Sequence, residues 1–150
     1  YPGIKMLLAR WTGDALAMQL KPKFYEECPK ELLGRWWGEE ERQEFINGSQ
    51  LYIRSLKSAD DAARFAKFTG LTLGVIMIDQ PEEVPEDIYH ALKGRLSQPG
   101  FPQQMILTPN PPGPDHWICK EFPEDNSIPG HLYIRTELYD NRGIIGDDYI

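Results

Sequence analysis

Short, mostly apolar runs alternate with helical patterns along the chain. Such runs are typical of strands covered on both faces of a sheet, and they lie at residues 4–10, 73–78, 105–107 and 132–135. Apolar residues at helical spacing, behind acidic or proline starts, predict helices over residues 14–28, 58–68, 85–96 and 116–122. Strands that alternate with helices predict an α/β fold with a mostly parallel sheet.

Turn-forming residues refine this pattern. Asn47-Gly48 separates two stretches with strand character and therefore predicts a β-hairpin. Pro22 lies inside the first helical pattern, so we expect a kink there or two short helical pieces. Residues 29–41 hold glycines and three consecutive glutamates, which predicts a connecting loop. Asp115 is the expected N-cap of the short helix that follows it.

Composition bounds the class of protein. With 150 residues, 41% of them hydrophobic and 26% charged, the chain suits one domain with its own core and not a disordered tail. No apolar run approaches the roughly 20 residues that span a bilayer, so no membrane span is expected. The net charge of −7 argues against a general nucleic-acid coat, although a local basic patch stays open. Cys28 and Cys119 form no CxxC pair, which favours a reduced compartment over a disulfide framework.

Polar residues follow two of the apolar runs at the point where each strand ends. Asp79 closes the run at residues 75–78, and Thr108 and Asn110 follow the next one. Open α/β sheets bind ligands at the carboxyl edge of their strands. In nucleotide hydrolases an Asp at this edge holds Mg²⁺, usually through water, and a nearby Glu orients the attacking water. The plainer alternatives are an acidic turn after a strand and a simple Asn-Pro turn, both of which are common.

Several segments, in order along nearly the whole chain, resemble the large terminase subunits of tailed bacteriophages. They comprise residues 74–86, 92–96 and 106–111, the hairpin region 45–56, His116-Trp117, and residues 139–141 with Tyr149. The resemblance implies a RecA-like P-loop ATPase domain that hydrolyses ATP with Mg²⁺ and drives double-stranded DNA into a procapsid. It also implies a portal protein, a small terminase subunit and further copies of the chain in a ring as partners, in the host cytoplasm and without a membrane.

The same resemblance implies roles for the residues at the carboxyl edge. Asp79 would be the Walker B acid on Mg²⁺, and Thr108 and Asn110 would belong to the motif that couples hydrolysis to movement. Family members usually carry Glu directly after the Walker B acid, where this chain has Gln80. Glutamine can orient water but cannot take its proton. The catalytic carboxylate is therefore expected from one of the two glutamates that follow Pro81.

Glu82 and Glu83 are the candidates for that carboxylate, and the sequence leaves the choice between them open. Acids at a helix entry are favoured by the helix dipole alone, so at least one of the two is expected to be merely solvated. Many family members also place an arginine where this chain has Thr69. Arg64 or Lys67 would substitute for it as a trans-acting finger, although a solvated helix face is the more ordinary role for both.

Two further arginines are candidates for phosphate contacts. Arg10 ends the first apolar run, and Arg95 lies near the end of the helical pattern at residues 85–96. For each, the plainer alternative is a surface pair with an acid. The sequence does not indicate which residues contact DNA.

The sequence contains no Gly-rich loop ending in Gly-Lys-Ser or Gly-Lys-Thr, the Walker A motif that grips the nucleotide phosphates. The chain starts at Tyr1, close to a strand, which suggests part of something longer. We therefore expect residues 1–150 to be a partial ATPase domain, without its P-loop unit or a nuclease domain, and to be inactive alone. The alternatives are another P-loop NTPase or helicase-like domain, and a non-catalytic α/β scaffold module.

Overall fold

The computed structural model describes residues 1–58, 66, 68–137 and 140 of the chain. Within it the chain divides into two compact units, Tyr1–Asn110 and Pro111–Ile150. The helix predicted over residues 58–68 lies almost entirely outside the described residues, as do Arg64 and Lys67. No helix in the described part is long and apolar enough to cross a membrane.

The first unit is built on a mixed sheet, in which the described residues form six strands. These are β1 Lys5–Arg10, β2 Leu33–Trp37, β3 Arg42–Phe45, β4 Gln50–Ser55, β5 Val75–Asp79 and β6 Gln104–Thr108. Their order across the sheet is β2-β3-β4-β1-β5-β6. Neighbours among β4, β1, β5 and β6 are parallel, whereas β3 is antiparallel to β4 and β2 is antiparallel to β3. The predicted α/β fold, its mostly parallel sheet and its hairpin are confirmed.

The apolar runs that become β1 and β5 lie inside the sheet, where both of its faces are covered. The run at residues 105–107 becomes β6, the last strand in the order of the described residues, and its residues alternate between exposed and half-buried, so the burial expected for it on both faces is wrong. Strand β1 is paired on both sides, with β4 and with β5. On one face, Leu7, Ile76 and Ile78 pack into a core with the helix α3, Glu86–Lys93, which buries Ile88 and Leu92. That helix begins after Pro85, as its sequence predicts, and ends three residues earlier than expected.

On the other face, a helical segment follows β1 and packs against Leu8, Leu51 and Ile53. It consists of α1 Gly13–Ala15, a π-helix Leu16–Leu20 and α2 Lys21–Glu27. The expected interruption near Pro22 is present as this π-helix. The proline itself lies in the first turn of α2, where a missing backbone N–H costs little.

The prediction of a connecting loop at residues 29–41 is wrong. This segment contains a 3₁₀ turn, Lys30–Leu32, and the strand β2. The buried side chain of Gln43 on β3 explains how β2 forms in spite of its glycine. Its amide nitrogen donates to the carbonyl oxygens of Gly34 (3.1 Å) and Glu44 (2.7 Å), at the point where the β2–β3 register shifts. A Cβ at Gly34 would lie 3.0 Å from the Glu44 carbonyl oxygen, so the close approach of the two strands requires glycine there.

The second unit holds the short helix α4, Trp117–Glu121, at the predicted place. Its N-cap is His116 and not Asp115, since the His116 Nδ1 accepts a hydrogen bond from the Ile118 N–H at 3.3 Å. The strand predicted at residues 132–135 does not form in the described residues. The Tyr133 N–H donates instead to the Asn126 side chain at 2.5 Å, and this local bond replaces a strand ladder.

Candidate functional site

The carboxyl ends of β5 and β6 lie side by side and bring together two residues singled out by the sequence. Asp79 and Thr108 are register partners in the parallel pair. The Thr108 hydroxyl donates to the Asp79 Oδ1 at 3.1 Å, and the Gln80 N–H donates to the Thr108 carbonyl oxygen at 3.3 Å. A hydroxyl and a carboxylate therefore share one point at this edge of the sheet.

The turn after β5 brings a second pair together. Gln80 has left-handed backbone geometry, with φ of 51°, and leads into a 3₁₀ turn, Pro81–Glu83. This turn places Glu82 within reach of the segment after β6, where the Asn110 Nδ2 donates to the Glu82 Oε1 at 2.7 Å. Glu83 is exposed. The structure thus joins Glu82, and not its neighbour, to a residue of the expected coupling motif.

The structure places Arg10, one of the candidates for a phosphate contact, at the same edge of the sheet as Asp79. It ends β1 and is only 6% exposed. Its Nη1 lies 3.6 Å from the Asp79 Oδ2 and donates to the Gln19 Oε1 at 2.6 Å, while its Nη2 donates to the Gln80 Oε1. The sequence offers a surface pair with an acid as one alternative for Arg10. The acid is Asp79, but the Arg10 side chain is buried and does not lie at the surface.

Gln19 is a contact that the sequence analysis missed. It lies on the π-helix, which no apolar spacing predicts. The available signal is indirect: a buried arginine needs polar partners for its donors. An arginine that ends a covered strand therefore requires acceptors from the elements beside it.

Arg95 is not brought to this edge. Its carbonyl oxygen accepts a hydrogen bond from the Leu73 N–H at 2.8 Å, and Leu73 precedes the amino end of β5. Asp79 lies at the other end of that strand, on the order of 20 Å away at about 3.3 Å per residue. Within one copy of the chain, Arg95 and Asp79 cannot contact the same phosphate. Arg64 and Lys67 lie outside the described residues, so their roles stay predictions.

The oxygen atoms at this edge fit a water-mediated Mg²⁺. Asp79 is 27% exposed through its side chain, so water reaches the carboxylate. Mg²⁺ prefers hard oxygen ligands and is commonly held by one or two carboxylates together with waters and substrate phosphates. Among the described residues, no group of three or more His, Cys, Asp or Glu side chains forms a complete metal site. A cation here would therefore need oxygen atoms from water and substrate.

Comparison with known proteins identifies the family. The model of the phage terminase large subunit family (Terminase_3) matches residues 38–148. The chain belongs to the phage terminase large subunit family. The resemblance noted in the sequence is confirmed. The PBSX phage terminase large subunit of Bacillus subtilis (strain 168) is 31% identical over 106 residues, which cover 70% of this chain and 23% of that relative.

Solved structures of the large terminase from a thermophilic bacteriophage share the fold. The ADP complex gives a TM-score of 0.70 at 18% identity, over 96% of this chain and 35% of that one. The complex with ATP-gamma-S gives 0.67 at 18% identity, over 96% and 34%. A further crystal form gives 0.69 at 19% identity, over 94% and 34%. The chain therefore spans about a third of the thermophilic phage's terminase chains and 23% of the PBSX relative.

Proposed function

We propose that this terminase chain belongs to an ATPase that moves double-stranded DNA into a procapsid, and that hydrolysis occurs at the carboxyl edge of β5 and β6. The observation that carries the proposal is the pairing of Asp79 with Thr108 and of Glu82 with Asn110 in a chain of this family. The thermophilic phage's large terminase, which shares the fold, has been crystallised with ADP and with ATP-gamma-S. These complexes support a nucleotide site in the proposed ATPase.

Each residue has a distinct task in the proposed reaction. Asp79 would hold Mg²⁺ through water, and the Thr108 hydroxyl orients the Asp79 carboxylate from 3.1 Å. When bound, Mg²⁺ neutralises charge on the phosphate oxygens. Glu82 accepts the proton of a water that attacks the γ-phosphorus, as the bond from that phosphorus to the ADP oxygen breaks. Because Asn110 lies two residues after the end of β6 and donates to Glu82, movement after β6 is linked to the catalytic carboxylate.

The phosphate cradle is proposed to come from a polypeptide longer than this chain, since the sequence has no Walker A motif. The partners proposed with it are a portal protein, a small terminase subunit and further copies of the large subunit in a ring, in the host cytoplasm. The helicase-like alternative is not favoured by the family assignment. The scaffold alternative is decided by experiment.

The decisive variant is Asp79→Ala in the large subunit that carries this chain, assayed for DNA-stimulated ATP hydrolysis. We expect turnover to fall by about 100-fold or more, since the Mg²⁺ contact is lost. Asp115→Ala, at an exposed acid of the second unit, is the matched control and is expected to leave turnover unchanged. Undiminished hydrolysis in Asp79→Ala would favour the scaffold.

A second experiment tests the argument from the missing Walker A motif. The 150-residue chain alone is expected to show no ATP turnover, because it lacks the loop that grips the β- and γ-phosphates. Measurable Mg²⁺-dependent hydrolysis by the purified chain would contradict this expectation.

A further inference from the structure

The guanidinium of Arg10 joins three elements at the proposed active edge. It is buried, and it contacts Gln19 on the π-helix and both Asp79 and Gln80 after β5. A buried charge in contact with one acid needs no glutamines for neutralisation. The two amide oxygens instead serve as acceptors for the N–H groups of the buried guanidinium.

The chemistry of arginine fixes the orientation of both amides. A guanidinium carries only donors, so the amide atom that faces it must be the oxygen. The Oε1 atoms of Gln19 and Gln80 are thus both committed to Arg10. The Nε2 of Gln80 is not bonded to the guanidinium, and none of the residues that the structure describes accepts a hydrogen bond from it.

The backbone at Gln80 supports a functional reason for this arrangement. Its φ of 51° lies in the left-handed region, which glycine adopts without strain and other residues avoid. Strained positions of this kind cluster at ligand-binding and active sites. The side chain is held in place there by Arg10, beside the proposed Mg²⁺ carboxylate of Asp79.

We propose that Gln80 is a phosphate-binding residue whose Nε2 donates to an oxygen of the terminal phosphoryl group of ATP, and that Arg10 is the positioning residue that turns this donor toward it. The inference rests on the proposed function and extends it. An amide N–H beside the edge that receives the phosphate stabilises the negative oxygens of the group in transfer. Gln80 is then a donor to substrate and not the acceptor that orients the attacking water.

The substitution Gln80→Glu separates these two roles. It places at this position the glutamate that family members usually carry, and Arg10 would hold one of its oxygens. The second oxygen would face the phosphate with a negative charge and no donor. In the large subunit that carries this chain, we expect the Kd for ATP-gamma-S to rise by about tenfold or more. The Kd for ADP, which lacks the terminal group, should change by no more than about twofold.

Two results would overturn the inference. One is a rise in kcat for Gln80→Glu with KM unchanged, which would assign water orientation or proton transfer to this position. The other is an equal loss of affinity for ADP and ATP-gamma-S. Gln80→Leu, which adds no charge and removes the donor, is expected to give the same selective loss and keeps the test decisive if the glutamate variant fails to fold.

The positioning role of Arg10 is tested by Arg10→Lys. Lysine keeps the positive charge near Asp79, but its single ammonium lacks the planar fork that reaches both amides. We expect the same selective loss of ATP-gamma-S affinity, and we expect the double variant with Gln80→Leu to be no worse than Gln80→Leu alone. Additive losses, or equal losses for both nucleotides, would reduce Arg10 to a structural role.

The outcomes also distinguish this inference from the proposed function. If Asp79→Ala abolishes turnover while Gln80→Glu leaves ATP-gamma-S binding intact, only the inference fails. If Asp79→Ala leaves turnover intact, the proposed function itself fails.

Discussion

The two ends of the parallel strands β1 and β5 use buried polar side chains in different ways. At the amino end, Gln98 accepts from the Lys5 N–H at 2.7 Å and donates to the Gly3 carbonyl oxygen at 3.0 Å, so both ends of its amide are used. At the carboxyl end, Arg10 lies 3.6 Å from Asp79 and its buried Nε has no partner among the described residues. The Gln98 amide is thus bonded through both its oxygen and its nitrogen. The Arg10 guanidinium, in contrast, has an N–H group without a partner among the described residues.

This difference teaches where to look for chemistry in the fold. Buried polar groups that only support a fold are normally fully hydrogen-bonded, because an unmet donor or acceptor costs free energy. At the carboxyl end the Arg10 Nε departs from that rule, as the Trp37 Nε1 and the Arg42 Nε also do, and here the departure coincides with a strained backbone at Gln80. A site that receives a substrate needs unmet donors and acceptors before the substrate arrives.

The largest expected effect on stability comes from removing the Gln98 amide at the amino end of β1 and β5. Gln98→Leu removes both hydrogen bonds and leaves the Lys5 N–H and the Gly3 carbonyl without their partner. We expect the free energy of unfolding to fall by about 2–4 kcal/mol in urea denaturation. Gln103→Leu, at an exposed glutamine nearby in sequence, should change it by less than about 0.5 kcal/mol. Equal effects in the two variants would refute the distinction between the ends.

A smaller effect on stability is expected at the carboxyl end. Arg10→Met replaces a buried charge with an apolar side chain of similar length, while Asp79 keeps access to water. Removing one partner of an ion pair is costly when the charge left behind is buried, but the Asp79 carboxylate is partly exposed and stays solvated. We expect the free energy of unfolding to change by no more than about 1 kcal/mol. A loss as large as that of Gln98→Leu would show that Arg10 is primarily structural.

A similarly small effect is expected at a third buried amide, away from both ends. The Tyr25 hydroxyl donates to the Gln43 Oε1 at 3.0 Å. Two effects raise the pKa of Tyr25 above its ordinary value: burial is the larger, and the charge of the nearby Cys28 side chain is the smaller. The folded state therefore favours the neutral phenol, and this contribution is complete below about pH 10 and is lost as the pH rises through the folded-state pKa.

Tyr25→Phe tests this contribution. The variant should lose about 1 kcal/mol at neutral pH, and its unfolding free energy should decline less steeply than that of the parent above about pH 10. Tyr1→Phe, at an exposed tyrosine, is the control and should follow the parent. Parallel alkaline declines in the parent and Tyr25→Phe would contradict the assignment.

The elements that the sequence predicts best are those with a single strong local signal. The apolar runs of β1 and β5 are correctly assigned because strands covered on both faces need no alternation. The run of β6 is correctly assigned as a strand, although it lies at the end of the sheet order and is not covered on both faces. The contact between Asp79 and Thr108 is also predictable, because the carboxyl ends of parallel strands lie at one edge of the sheet. Here a local pattern is enough to locate the candidate site.

The elements that the sequence misses depend on contacts between distant residues. Strand β2 contains Gly34, and its formation depends on Gln43 of another strand. The apolar residues near Tyr133 have strand character, but the backbone N–H of Tyr133 donates to the Asn126 Oδ1 and not to a neighbouring strand. The burial of Arg10 follows from the order of the strands, which places β1 beside β5. No local pattern contains that order.

The choice between the two glutamates tests the central claim most directly. Glu82 is joined to Asn110 at 2.7 Å, whereas Glu83 is exposed. In the large subunit that carries this chain, DNA-stimulated ATP hydrolysis should fall by about 10²–10⁴-fold in Glu82→Gln, because general-base catalysis is lost. Glu83→Gln should retain turnover within about twofold. The opposite pattern, or full activity in both variants, would contradict the account.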